Sequence, residues 1–343
     1  MVTIQDIAEK LNISATTVSL VLNNRGRKLR IGTHTCALVE RAAHEMGYTR
    51  NDIARSMATG KTNVIGFLVS CAATEHCARL LDGIMRTAYE NDYFVKVIYA
   101  EPGCTADSIT RLCIGQRLSG LIVYDCSGAD KDFLFRLHSQ IIKHDIPLAI
   151  AASDGNFDQG IRILADNVQG GGLIFKHLYA QGHRSFIVDG GFFNIPWAAE
   201  RRGSFLSAAA AEGIIISENC FFKSEETLLI NGNVLKALIK ETGATAVFCL
   251  SDYTALTVLN TLQTIGISVP NDVAVAGYGN MNVSDFAVPT ITTIEEHLSA
   301  IGSRVVNVVL DKIKSQRSID TAIPYMEKMK VELIVKSSTV FKR

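Results

Sequence analysis

The sequence has a single tryptophan, six prolines and no excess of either charge, since 34 Lys and Arg balance 34 Asp and Glu. That balance excludes a chain that is basic throughout and binds polyanions by overall charge. No apolar run approaches the ~20 residues that span a bilayer, so no membrane partner is expected. The opening Met1-Val2-Thr3-Ile4-Gln5-Asp6 has no basic segment followed by an apolar one. A secretory signal is therefore not expected, and the expected location is cytoplasmic. The eight cysteines, at 36, 71, 77, 104, 113, 126, 220 and 249, never form C-x-x-C. Reduced thiols are expected rather than disulfides. Cys71, His76 and Cys77 lack a second ligand pair, so no metal site is expected. Gly170-Gly171-Gly172 lacks the Lys-Ser/Thr of a P-loop and the spacing of a dinucleotide fingerprint. Close helix packing is the expected reason for it, and no cofactor is expected. No Ser-His-Asp or paired-carboxylate arrangement has motif support, so the chain does not read as an enzyme.

What is present is a large core and an uneven distribution of charge. Hydrophobic residues make up 48% of the chain and charged residues 20%, which at this length implies two or three globular domains. Residues 1–62 hold nine Lys and Arg against five Asp and Glu, a net +4, leaving −4 for the remainder. A basic head on a slightly acidic body suggests that the head meets a polyanion.

Thr3 and Asp6 form a capping-box variant ahead of Ile4, Ile7, Ala8 and Leu11 at helical spacing. Asn12-Ile13-Ser14 breaks that helix, and Ser14 caps a second one from Ala15 to Leu22 with Val18, Val21 and Leu22 inward. A third helix is expected from Thr35 to Met46, with Leu38, Val39, Ala42, Ala43 and Met46 inward and Gly47 ending it. Two short helices joined by a tight turn make a helix-turn-helix, whose second helix would present Ala15, Thr16, Ser19 and Leu20 to a major groove. A small helical bundle with no DNA role fits the same pattern. From Val64 onward, short apolar strands alternate with helices in two series, the pattern of a two-lobed α/β body built on doubly wound parallel sheets. The cleft between the lobes is the expected ligand site.

Val2-Thr3-Ile4-Gln5-Asp6-Ile7-Ala8, Ser14 through Asn23, Met46-Gly47-Tyr48 and Asn51 through Met57 together resemble the opening of the lactose/galactose repressor family of bacterial transcription regulators. Asp166-Asn167, Gly182-His183-Arg184, Glu200-Arg201, Leu250-Ser251-Asp252, Val269 through Tyr278 and Glu332 through Thr339 continue the resemblance through the body. It implies a helix-turn-helix domain at 1–50 and a hinge helix and linker at 51–62. It also implies a periplasmic-binding-protein-like effector and dimerisation domain at 63–343. The first lobe is expected at about 63–155 plus 289–318, and the second at about 156–288 plus 319–343.

Residue by residue, the resemblance implies that Thr17, Ser19 and Asn23 contact phosphate and groove, with Thr3 also among the DNA-contacting residues. Ala15 and Thr16 match the main specificity positions. Leu20 stands where the family usually has Arg, so it offers only apolar contact, for instance to a thymine methyl. Arg25 and Arg27, in a basic loop beside the recognition helix, are expected on phosphate in preference to a merely solvated surface run. Asn51, Ala54 and Met57 match the hinge helix, with Met57 as the minor-groove wedge or, alternatively, a linker residue packed on the body. In the cleft, Arg201 matches a ligand-gripping Arg or forms an ion pair with Glu200. Asp252 accepts ligand hydroxyls or caps the next helix, and Ser251 precedes it. Trp197 stacks on the ligand or belongs to the core. Gly279-Asn280 replaces the family's Asp-Asp, and Thr74-Glu75-His76-Cys77 replaces its Asn-Pro-Phe-Phe. The expected partners are double-stranded operator DNA, a small-molecule effector of carbohydrate type and a second copy of the chain in a homodimer. The rival readings are a small-molecule-binding protein of this fold with a degenerate DNA or ligand site, an enzyme with an α/β body, and a secreted solute receptor.

Overall fold

A computed structural model describes residues 2–22, 31–49, 62–125, 132–152, 157–191, 196–222, 230–315 and 324–340. The chain divides into two compact units, Met1–Thr62 and Asn63–Arg343.

The first unit contains α1 (Ile4–Leu11), α2 (Ala15–Leu22) and α3 (Thr33–Glu45). Thr3 starts α1. Its hydroxyl accepts from Asp6 N at 3.2 Å while the Asp6 carboxylate accepts from Thr3 N at 2.8 Å, so two otherwise orphaned donors are satisfied reciprocally. Asn12 ends the helix at φ 52, the left-handed region that asparagine tolerates, and this turns the chain toward α2. Ser14 Oγ accepts from Thr17 N at 3.1 Å and caps α2. Ile7, Ala8, Val18, Val21, Val39, Ala42 and Ala43 close the core. Two details differ from the sequence expectation. Helix α3 begins at Thr33 rather than Thr35, and Leu38 is exposed at 38%. Val39, Ala42, Ala43 and Met46 already define one helical face, and Leu38 lies one residue to its side. The expected hinge helix, 51–57, lies outside the described residues.

The second unit runs β1 (Val64–Val69), α4 (Glu75–Glu90), β2 (Phe94–Tyr99), α5 (Ala106–Gly115), β3 (Gly120–Asp125), α6 (Phe133–Ile141), β4 (Leu148–Ala151) and β5 (Ile161–Ala165). It continues through α7 (Asn167–Ala180), β6 (Phe186–Asp189), α8 (Pro196–Ala211), β7 (Phe221–Phe222), α9 (Gly232–Thr242), β8 (Ala246–Phe248), α10 (Asp252–Thr264) and β9 (Ala274–Ala276). It closes with α11 (Asn282–Phe286), β10 (Thr293–Glu295), α12 (Leu298–Lys314), β11 (Tyr325–Met329) and β12 (Glu332–Ile334). One sheet has the order β2-β1-β3-β4-β5-β11 and the other β7-β6-β8-β9, and every pairing in both is parallel. Central strands such as Ile65–Val69 are buried along their whole length, as parallel strands covered on both faces must be.

The expected lobe boundaries shift. Strands β5 and β11 pair into the first sheet, so the chain enters the second lobe near 166 rather than 156, and residues 325–329 belong to the first lobe. Tyr-Met-Glu-Lys-Met is too polar to read as a sheet strand. It forms one because it lies on the sheet edge, where only one side needs a partner. The antiparallel pair β10–β12 lies in the crossings between lobes. In both sheets the first strand is flanked by the second on one side and the third on the other. The carboxyl ends of β1 and β3, and of β6 and β8, therefore flank a switch point, where α/β sheets bind ligands.

Buried His138 and His183 and half-buried His177 all have pKa values below the ordinary imidazole value, first because burial disfavours the charged ring. For His183, neighbouring His177 and Arg184 act in the same direction. The unfolded chain takes up these protons more readily than the folded one. Their contribution is full above the unfolded value and is lost as the pH falls below it. Between about pH 7 and about pH 5 the melting temperature of the full chain should drop relative to that of His183→Gln. An equal drop in the variant would count against this origin.

Candidate functional site

In the first unit, α2 leaves Thr16 exposed, with Ala15, Thr17, Ser19 and Leu20 half-buried around it. Ala15 packs against the helical core rather than standing free, and Thr17 Oγ1 pairs with the capping Ser14 hydroxyl at 2.8 Å. Thr3 is engaged as the α1 cap. Asn23, Arg25, Arg27, Asn51, Ala54 and Met57 lie outside the described residues.

In the second unit a continuous polar chain crosses between the lobes. Arg201, on α8, is only 6% exposed. Its Nε donates to Asn167 Oδ1 at 2.8 Å, Nη1 to the Leu250 carbonyl at 3.0 Å and Nη2 to Glu296 Oε1 at 2.5 Å. The guanidinium also lies 3.7 Å from the Tyr278 ring centroid and 4.6 Å from that of Trp197. Arg201 therefore pairs with Glu296 and not with Glu200. Glu200 instead accepts from Lys328 Nζ at 2.7 Å and from Asn167 Nδ2 at 3.4 Å.

Glu296 lies in the crossing between β10 and α12 and is 1% exposed. Burial alone would raise its pKa. The charges of Arg201 and His76 overcome that and hold it at about 2, so the carboxylate is ionised. Its second oxygen lies 3.2 Å from His76 Nε2, and His76 Nδ1 lies 2.9 Å from Tyr124 Oη. His76 follows β1 and Tyr124 is the penultimate residue of β3, so both come from the switch point of the first sheet. Beside them Glu75 accepts from Asn282 N at 3.0 and 3.1 Å, and Arg79 donates to Asn282 Oδ1 at 3.3 Å. The segment that departs from the family pattern thus reaches directly across to the other lobe.

Asp252 is fully buried at the start of α10. It neither caps the helix nor faces open space. Ser251 is the cap, accepting from Thr254 N at 3.1 Å, while Asp252 accepts from Met281 N at 2.7 Å and Thr293 Oγ1 at 2.6 Å. It thereby braces the 277–281 turn. In that turn Gly279 has φ +117, a conformation open to glycine, and a Cβ there would lie 3.6 Å from Glu296 Oε2. Trp197 is half-buried and stacks on Arg201. Cβ atoms at Gly170 and Gly171 would fall within 2.1–2.2 Å of Tyr278 Oη, Ser204 Oγ and the Arg201 carbonyl, so close packing accounts for these two glycines, whereas a Cβ at Gly172 would meet nothing within 4 Å. Cys77 is buried and both His76 nitrogens are occupied, and no metal-ligand cluster exists among the described residues.

Residues 3–51 match "Bacterial regulatory proteins, lacI family", and residues 175–339 match "Periplasmic binding protein-like domain". The HTH-type transcriptional repressor PurR of Actinobacillus pleuropneumoniae serotype 3 is 28% identical over 322 residues, 93% of each chain. Its namesake in Vibrio parahaemolyticus is 29% identical over 324 residues, 92% of this chain and 93% of that one. The chain thus joins a lacI-family regulatory domain to a periplasmic-binding-protein-like domain. Its fold is that of the lac repressor dimer bound to operator and the anti-inducer ONPF, with a TM-score of 0.78 over 99% of both chains at 22% identity. A transcriptional regulator CelR-cellobiose complex matches 98% of this chain and 100% of its own with a TM-score of 0.69 at 22% identity.

Within the periplasmic-binding-protein-like body, Trp197, Arg201, Ser251, Asp252, Gly279 and Glu296 all fall in the matched span, whereas His76 and Tyr124 precede it. The structure brings Arg201, Trp197 and Gly279 together around Glu296 and assigns Ser251 and Asp252 to internal bonds. Glu296, His76, Tyr124, Asn167 and Tyr278 are the interacting residues that sequence reasoning did not single out as a site. The one local signal for Glu296 is an acidic pair, Glu295-Glu296, directly after the apolar Ile294.

Proposed function

We propose that this chain is a cytoplasmic transcriptional repressor that binds a pseudo-palindromic operator as a homodimer. A small molecule, a sugar or related metabolite, held between the lobes would control its affinity. The observation that carries the reading is a buried arginine at the interlobe switch point, on a body that follows a capped helix-turn-helix in one chain. The relatives are repressors, and the family is one of regulators rather than enzymes. We place the effector against Arg201, Trp197 and Gly279, and the base-reading surface on Ala15, Thr16, Thr17, Ser19 and Leu20. Asn23, Arg25, Arg27, Asn51, Ala54 and Met57 keep their proposed roles on DNA.

A dimer is favoured by the outer face of the first lobe. Edge strand β2 and helix α4 leave Met85, Tyr89, Val97 and Tyr99 from 48% to 80% exposed, apolar surface of the kind a second copy would cover. Dimerisation matters because one headpiece alone offers too small an interface for high specificity.

Selection of binding sites from random duplex DNA by the full chain tests the proposal. The expected product is a two-fold symmetric site whose affinity falls steeply with salt. Weak, sequence-blind binding would overturn it and favour a degenerate regulator. Leu20→Arg should recruit a guanine at one position of each half-site, with a preference of about 1–3 kcal/mol, because arginine bonds bidentately to its O6 and N7. An unchanged selected sequence would remove Leu20 from the reading surface.

A further inference from the structure

We propose that Glu296 is a tethered anion that already satisfies Arg201, and that the effector of this cleft is therefore an uncharged hydrogen-bonding molecule read by Glu296 together with His76 and Tyr124. The proposal rests on the reading of the Arg201 cleft as the effector site. It adds the charge class of the ligand and three specificity residues.

Arginine in a cleft ordinarily invites a carboxylate or phosphate, whose two oxygens fit its fork. Here the chain supplies that carboxylate itself. Glu296 Oε1 accepts from Arg201 Nη2 at 2.5 Å, Nε and Nη1 are committed to Asn167 and Leu250, and two aromatic rings lie against the guanidinium. An anionic ligand reaching Arg201 would meet a buried, ionised carboxylate. Two like charges at such range in a desolvated site cannot both persist unless one takes a proton, and the arginine pairing opposes protonation of Glu296. A ligand without net charge meets no such conflict. Its hydroxyl or amide N–H groups find an acceptor in Glu296 Oε2, now engaged by His76. His76 and Tyr124 form a bonded pair on the first lobe that can turn toward the same ligand.

The position of Glu296 makes this more than an internal ion pair. It lies in a crossing between the lobes, bonded to Arg201 of the second lobe and to His76 of the first. A Cβ at Gly279 would lie 3.6 Å from its second oxygen and 3.3 Å from Met281 Cε, so the glycine adds no side chain of its own to that face of the carboxylate, which the Met281 side chain borders. A ligand that replaces the His76 bond therefore alters the contact joining the two lobes.

The test needs no knowledge of the effector. Glu296→Ala exposes the Arg201 charge and leaves a carboxylate-sized space, which acetate should refill. Thermal melting and calorimetric titration of full-length wild type and variant are compared with sodium acetate, with sodium chloride at equal ionic strength, and with acetamide as the neutral isostere. The expected result is saturable stabilisation of the variant by acetate at least about tenfold tighter than any binding to wild type, with no comparable effect of acetamide. If the variant folds only with acetate present, that is the same result. If it folds in neither solution, Glu296→Ser, which keeps a polar group in the space, takes its place. Equal effects of acetate and acetamide, or acetate binding as tight to wild type as to the variant, would overturn the proposal. Operator binding read in the same titrations separates the two claims. Acetate that stabilises the variant but leaves its DNA affinity unchanged sinks the coupling of this cleft to the operator while leaving the tethered anion standing.

Discussion

Arg201→Ala is expected to destabilise the body by about 3–5 kcal/mol and to abolish any effector-dependent change in operator affinity. The size of the first effect follows from what is left behind. Glu296 is 1% exposed and ionised, so removing its partner strands a charge in a site that water cannot reach. Asn167 Oδ1 and the Leu250 carbonyl lose their donors at the same moment, and the Tyr278 and Trp197 rings lose the cation between them. The cost is thus one of breaking a buried pair, which exceeds what the pair contributes over an apolar replacement. Arg201→Met combined with Glu296→Met should accordingly recover most of the loss. Urea denaturation of the two single variants and the double variant measures the cycle. Single-variant losses below about 1 kcal/mol, or a double variant no better than their sum, would mean that the pair is solvated in solution. The second effect is read separately, as operator binding with and without whatever ligand stabilises the wild type. A normal response would remove Arg201 from the effector site without disturbing the ion-pair argument.

The parts of this molecule that local chemistry dictates were legible in the chain. Thr3 with Asp6, Asn12 in the left-handed region and Ser14 before α2 each satisfy a backbone requirement within a few residues, so spacing alone reveals them. Buried parallel strands such as Ile65–Val69 likewise announce themselves as apolar runs. Arg201 was legible as a residue but not in its pairing. Its nearest reading was the adjacent Glu200, whereas the real partner is 95 positions away. Nothing in local periodicity can bring a hinge glutamate to a helix in another lobe; only the crossing of the chain between two sheets does that. The same holds for His76. It reads as a loss of the family's aromatic, and only the topology shows it reaching Glu296 and Tyr124 instead. Strand β11 was missed for a different reason. It joins an edge, where polar alternation is tolerated and the buried-strand signature is absent.

Asp252 supports the second large expectation, which concerns pH. Burial raises its pKa to about 6, even though Thr293 Oγ1 and Met281 N both donate to it and Lys336 lies near enough to oppose the shift. A carboxyl raised in this way binds its proton more tightly in the folded chain than in the unfolded one. Its ionisation therefore costs stability. The cost is absent in strong acid, grows as the pH rises from the unfolded value through about 6, and stays constant above that. One pKa unit corresponds to about 1.4 kcal/mol, so the portion that develops between about pH 5 and about pH 8 is on the order of 1–2 kcal/mol. Asp252→Asn removes the titration and can retain both contacts. Its Oδ1 can accept from Met281 N while its amide donates to Thr293 Oγ1, a hydroxyl able to reverse its role. Relative to wild type, the asparagine variant should therefore gain stability by about 1–2 kcal/mol as the pH is raised over that range. Asp252→Ala should lose about 2–5 kcal/mol at every pH, because two buried donors are left without an acceptor. Denaturation midpoints of the three proteins at the two pH values decide it. A constant gap between wild type and Asp252→Asn would show that the carboxyl does not titrate in this range. The braced turn carries Gly279 beside Glu296, so the alanine variant should also loosen the effector cleft. That loosening would appear as faster amide exchange at 279–282 than in the asparagine variant.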